Sequence, residues 1–337
     1  MLCQGRSQFS MILRTLLRVI GIIYFYITAQ INIENIIYIE IFVTLVGAGV
    51  VLTMLLIVYF RHSCHKVSSE SLNLMRVSQY ILPGFAAQLL AICYGPDAFK
   101  ITLAGNVTAY ALAIFGFSYS LAAVIQRYMP INILSGIFRP VFVAASTKND
   151  ADIILPQLVS LIIKINWFYI IPFVCVLFFS GDMIASVISG GKYPEAGNVL
   201  TVIVLGLLPL AMCGSISMYC LAKEIAFAPL VATAVSVIGL PIAMLLGKYF
   251  NDLGVAIAFG LSQLIWSVVC WAMVSRNKDL NVELDVRSFI YMLIIMGVAI
   301  YVSYMFILLF NIPSWVGSFF SLSICCTFFI FTLSCLL

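Results

Sequence analysis

Ile36-Ile37-Tyr38-Ile39-Glu40-Ile41-Phe42-Val43-Thr44-Leu45-Val46-Gly47-Ala48-Gly49-Val50-Val51-Leu52-Thr53-Met54-Leu55-Leu56-Ile57-Val58-Tyr59-Phe60 is apolar from end to end apart from one carboxylate, two threonines and the hydroxyls of two tyrosines. As a helix rising about 1.5 Å per residue it outspans a hydrocarbon core of roughly 30 Å. The rest of the chain is written the same way: of 337 residues 64% are hydrophobic and 9% charged, and the mean hydropathy is +1.15. Soluble domains carry about 45–50% apolar and about 25% charged residues, so a soluble globular enzyme is excluded. A β-barrel is excluded as well, since its strands alternate polar and apolar residues over short segments. The expected fold is all-α, a polytopic helical membrane protein.

Apolar runs predict about ten spans: Leu17 to Ile31, Ile36 to Phe60, Gln79 to Tyr94, Leu103 to Ile125, Ile153 to Ser180, Val199 to Leu221, Ala226 to Leu246, Leu253 to Val274, Phe289 to Phe310 and Trp315 to Leu337. Alternating the loops places Arg6, Arg14, Arg18, Arg61, Lys66, Arg76, Arg127, Arg139, Lys148, Lys223, Arg276, Lys278 and Arg287 on one side, and only Lys100, Lys192 and Lys248 on the other. Basic residues collect in the cytoplasm, so both termini are expected there. The first thirty residues resemble a secretory signal in outline, but Phe9, Met11, Ile12 and Leu13 among the arginines suit an amphipathic lead-in to a true span.

The composition leaves little room for catalysis. The outer loops are short, the longest running from Gly181 to Asn198, and neither large cytoplasmic loop holds a phosphate-binding glycine motif. Eight of the ten cysteines lie in apolar segments and read as small hydrophobes. Both histidines fall in Arg61-His62-Ser63-Cys64-His65-Lys66, which offers three crowded ligands where a zinc site usually needs four. Neither a metal nor a cofactor is expected, and nucleic-acid binding has no support. A nucleophile, base and orienting group cannot be assembled from the spans.

Charges inside spans are the candidates for function, because they are expensive in lipid. Lys164 falls inside Ile153 to Ser180, where it either faces a wet cavity or snorkels from a span that starts at Ile165. Arg18 and Arg14 pose the same choice before Val19. Glu40 is either an ion-coupling carboxylate or an interfacial one at the outer headgroups. Arg127 and Arg139 flank a stretch with Pro130, Gly136 and Pro140, and suit lipid phosphates or a pyrophosphate substrate. In Leu103 to Ile125, Gly105, Ala109, Ala113, Gly116 and Ser120 form a small-residue face for close helix packing, and Tyr110 and Tyr119 belong to a polar set suited to a vestibule. Pro83, Pro172, Pro209, Pro229 and Pro241 interrupt five spans, as bent helices around a cavity would.

From Gln79 to Val274 the order of motifs resembles the carboxyl-terminal half of the polysaccharide repeat-unit (O-antigen) flippases of the MATE-like exporter superfamily. The resemblance rests on Tyr80-Ile81-Leu82-Pro83, Leu103-Ala104-Gly105-Asn106-Val107-Thr108-Ala109-Tyr110-Ala111-Leu112, Arg139-Pro140-Val141-Phe142, Gly191-Lys192-Tyr193-Pro194-Glu195-Ala196, and Asp252-Leu253-Gly254-Val255-Ala256-Ile257-Ala258. It implies a partial two-lobe transporter lacking its first four spans. Residues 1–78 would be the remnant of an amino-terminal lobe, 79–285 a six-helix carboxyl-terminal lobe, and 286–337 two further spans. The implied activity is movement of an undecaprenyl-pyrophosphate-linked oligosaccharide across a bacterial inner membrane, with membrane lipids and other polysaccharide-assembly proteins as partners. Under that reading Lys164, Arg18, Arg127 and Arg139 supply charge for the diphosphate, while Tyr110 and Tyr119 face sugar. The alternatives are a drug or ion exporter of the same superfamily, for which Glu40 argues, and an O-antigen polymerase-type membrane enzyme.

Overall fold

The computed structural model describes residues 2–28, 32–63, 74–148, 150–276, 286–310 and 316–324. The candidate metal loop around His62 and His65, and the last expected span beyond residue 324, lie outside the described side chains. The helices among the described residues include, in order, α1 (Leu2–Ile27), α2 (Ile33–Ser63), α3 (Leu74–Cys93), α4 (Pro96–Asn106), α5 (Ala109–Arg127), α6 (Pro130–Ile133), α7 (Ser135–Ser146), α8 (Ala151–Ser189), α9 (Ala196–Leu205), α10 (Leu207–Ala222), α11 (Phe227–Ser236), α12 (Gly239–Ser275) and α13 (Val286–Phe310), and residues 316–324 are helical as well. Among the described residues six stretches are long and apolar enough to cross a membrane. The chain is a polytopic helical membrane protein.

It divides into two compact units, Met1–Asn73 and Leu74–Leu337. In the first, α1 and α2 run antiparallel: Arg18 meets Glu40, Gly21 lies against Ile39, and Arg14 lies across Gly47. Their remaining faces are apolar and exposed, as lipid-facing helices require.

The second unit is built on α8, whose buried face runs from Leu155 to Ala185. α9 turns back along α8, with Gly197 backbone against Gly181, and the Trp167 indole donates to the Leu208 carbonyl at 3.0 Å. α12 is two helices meeting at Asn251, whose backbone (φ 51, ψ −129) is non-helical. Gly254 lies against Leu246, Gly247 against Val255 and Gly239 against Ser262, so the chain reverses at Asn251 into an antiparallel hairpin. Further along the same hairpin, the Trp266 indole donates to Thr233 Oγ1 at 3.0 Å.

Two boundaries differ from those expected from the sequence: the Gly181 to Asn198 loop narrows to residues 190–195, because α8 runs on to Ser189 and α9 starts at Ala196, and the third and fourth spans meet elsewhere. Pro96 to Thr102 was expected as an outer loop and Leu103 to Ile125 as one span; instead α3 and α4 form a single broken pass. Tyr94 reaches Thr233, Phe99 packs on Gly239, and Val107 on Gly247. The partners advance in step along α11 and the first arm of α12, so α4 continues outward from α3. The reversal comes at Val107 and Thr108, where the Thr108 hydroxyl accepts from Ala111 N–H and starts α5. Pro96 and Asp97, which look like loop residues, are instead first-turn residues of α4.

The small-residue face fails for the same reason, since Gly105 and Ala109 belong to different helices. A Cβ on Gly105 or Gly116 would meet nothing within 4 Å. Close backbone approach occurs elsewhere, most clearly where a Cβ on Gly197 would run into the Gly181 carbonyl carbon, and also where one on Gly206 would lie 3.2 Å from Gly260 Cα.

Candidate functional site

One pass of the second unit is interrupted, α3 and α4 at Gly95, whose backbone is extended (φ −70, ψ 166), and two more bend beside it with helical backbone angles, α9 and α10 at Gly206 and α11 and α12 at Val237-Ile238. The contacts Gly206–Gly260, Gly239–Ser262 and Phe99–Gly239 tie the break and the bends into one layer. Irregular backbone at membrane depth needs protein or water around it, and discontinuous helices in transporters mark the substrate and ion path.

An ion pair occupies this layer. Lys100 Nζ is 3.0 Å from Asp97 Oδ1 and 5.4 Å from the centre of the Tyr119 ring. Lys100 is seven residues before Val107, about 10 Å along the helix from the turn. The Tyr119 ring also packs edge-on against Phe259 at 5.8 Å, and Phe259 packs on Phe99 at 5.5 Å. The Asp97 carboxylate is 86% exposed on the protein surface, so the pair opens outward from the wall.

The first unit holds a second pair. Arg18 Nε donates to Glu40 Oε2 at 2.9 Å and Arg18 Nη2 donates to Glu40 Oε1, a two-pronged contact. Glu40 is seven residues into α2, about 10 Å along the axis from its start. One turn before Arg18, the Arg14 Nε is buried without a hydrogen-bond partner among the described residues.

The other expected site residues are dispersed. Tyr110 is exposed at the start of α5, its ring 6.1 Å from that of Tyr193. Arg127 is exposed in the last turn of α5, and Arg139 is exposed on α7 and lines a cavity. Lys164 is part-buried on α8, less than one turn before Trp167, and Val159, Ile162 and Ile163 before it are buried in protein.

Sequence reasoning missed Asp97, Lys100 and Asn166. The first two carried a usable signal: Pro after Gly, an acid in the next position and a lysine three residues on is a helix start with an internal ion pair. Asn166 is fully buried and gives no such signal. Its Oδ1 accepts from Ile131 N–H at 3.1 Å and its Nδ2 donates to the Ile162 carbonyl at 2.7 Å. It thereby caps the short helix α6, whose preceding residue Met129 has no capping side chain.

No family model matches this chain, and no curated protein matches it. Among solved structures, it superposes on the lipid II flippase MurJ in its inward closed conformation with a TM-score of 0.63 at 14% identity. The match covers 95% of this chain and 66% of that one, so the chain spans just under two thirds of that transporter. The two share a fold.

Proposed function

We propose that this chain is a flippase that moves a lipid-linked oligosaccharide, the repeat unit of a surface polysaccharide carried on an undecaprenyl diphosphate, across a bacterial inner membrane. The observation that carries the reading is the Asp97–Lys100 pair at the break of a membrane pass. A pair this exposed adds little to stability, so a place in a transport path is its most economical explanation in a membrane pass. The likeness to a lipid II flippase supports a lipid-linked cargo.

Arg18, Lys164, Arg127 and Arg139 are the cations proposed to meet the diphosphate, and Tyr110 and Tyr119 the rings proposed to meet sugar. A cavity of about 610 Å³ lined by Trp167, Leu208, Met212, Leu264 and Met296 has the chemistry of a hydrocarbon chain. Glu40 is the residue that favours a cationic cargo, and its bidentate contact with Arg18 gives it another role, that of counter-ion. A polymerising enzyme would need a large outer domain, whereas α8 and α9 are joined by residues 190–195 alone.

The test is transport in proteoliposomes holding a fluorescent polyprenyl-diphosphate oligosaccharide. A membrane-impermeant reductant should bleach the inner-leaflet pool as well as the outer when the chain is present. Bleaching confined to the outer leaflet, under every imposed proton and sodium gradient, would overturn the proposal.

A further inference from the structure

Arg139 of α7, Gln88 of α3 and Ser217 of α10 converge on one cavity of about 420 Å³. All three side chains are exposed, and none bonds to another protein group among the described residues. Their polar neighbours are already committed: Ser135 Oγ donates to the Asn132 carbonyl at 3.0 Å, and Asn132 Nδ2 donates to the Gln126 carbonyl at 2.6 Å. Gly84, Ala87 and Gly214 add no bulk to the wall, and among the described residues no carboxylate lines it.

A guanidinium, a hydroxyl and an amide without a facing acid form a donor set for an anion. Arginine's planar fork selects oxyanions that accept two parallel bonds, above all phosphoryl groups. Ligand pockets run from roughly 300 to 1,000 Å³, so this one admits a diphosphate and not a whole oligosaccharide. Ser217 is five residues before the end of α10, about 8 Å along the axis. That end of the unit carries Arg127, Lys148, Lys223 and Arg276, and the distribution of basic residues assigns it to the cytoplasm.

We propose that this pocket is a phosphoryl-binding site that captures the headgroup of a membrane-anchored lipid at the cytoplasmic face. Its role as a loading site rests on the flippase reading, whereas phosphoryl binding does not. Two sources share the chemistry, an isoprenoid diphosphate and a bulk anionic phospholipid.

The full chain in phosphatidylcholine nanodiscs is titrated with farnesyl diphosphate, and the titration is repeated with phosphatidylglycerol in the disc. Saturable binding is expected, weakened about tenfold by Arg139→Gln, less by Ser217→Ala or Gln88→Ala, and partly kept by Arg139→Lys. Lys148→Gln, outside the cavity, leaves it unchanged. Competition by phosphatidylglycerol that depends on Arg139 supports the pocket and assigns it to bulk lipid; its absence assigns it to the isoprenoid diphosphate. Equal binding by wild type, Arg139→Gln and Ser217→Ala, or no binding in either membrane, overturns the proposal. Arg139-dependent binding without transport would sink the flippase reading alone, and transport without such binding would sink the pocket alone.

Discussion

Arg18 and Glu40 are each costly in hydrocarbon, and together they are tolerable because each cancels the other's charge through two bonds. Removing one partner leaves the other bare. Glu40→Gln or Arg18→Ala is therefore expected to destabilise the first unit by about 1–2 kcal/mol, below the insertion cost of a lone central charge because both side chains are half exposed. The exchange Arg18→Glu with Glu40→Arg should recover most of it, measured by thermal unfolding in detergent across the cycle. Equal stability of all four proteins would mean that both side chains reach water. Asn166 makes a parallel case with no charge. Asn166→Ala strands the Ile131 N–H in a buried site and is expected to cost about 1–3 kcal/mol, and Asn166→Asp should cost no less, since it keeps the accepting oxygen but sets a buried carboxylate oxygen against the Ile162 carbonyl. The sequence displayed these residues without their pairings, because Arg18 and Glu40 are 22 positions apart and Ile131 and Asn166 are 35 apart. Hydropathy has no term for a contact across helices.

At the scale of elements, hydropathy located the apolar passes well and the breaks poorly. A window average cannot separate a loop from a helix start that carries Pro, Asp and Lys, so α4 reads as a loop followed by a span. The constant step of Tyr94, Phe99 and Val107 along α11 and α12 overrides that reading. The arrangement makes an accessibility prediction. In a cysteine-free background, Asp97→Cys and Lys100→Cys should react with a membrane-impermeant methanethiosulfonate, because the break is expected to line water. Ile101→Cys, 75% exposed and one turn beyond Asp97 on the same face, should react as well if that face meets water. Labelling at neither polar position would remove the break from any aqueous path. Glycine spacing was misleading for a related reason: a stripe along the chain matters only if one helix carries it. Gly254→Ala should be severe, since its Cβ would collide with Leu246 backbone in the Asn251 hairpin, and overpacking of this kind typically costs about 1–3 kcal/mol or more. Gly116→Ala should be nearly silent, as its Cβ meets open space.

At the scale of the whole molecule, the charge asymmetry and the hairpins make independent statements about topology. Basic residues place the α5–α7 connection and the α10–α11 connection on the cytoplasmic side. The structure supplies the reversals: α3 and α4 run to Val107, α5 returns, α8 runs to Gly190, α9 and α10 return, and Asn251 turns the next pair. Walking these reversals from the α5–α7 connection puts Val107, Lys192 and Asn251 at one end and Arg139, Lys223 and Arg276 at the other. The walk also carries Lys100 away from the outer surface, where the alternation of loops had counted it, and into the layer of the break. One of three exceptions to the charge rule thus becomes an intramembrane residue, and the asymmetry sharpens. Alkaline phosphatase fused after Lys192 or Asn251 should be active outside the cytoplasm, and green fluorescent protein fused after Lys223 or Arg276 should fluoresce inside it. If Asn251 and Arg276 report the same compartment, the single pass expected between them is absent, and the Asn251 hairpin cannot cross the membrane as two arms.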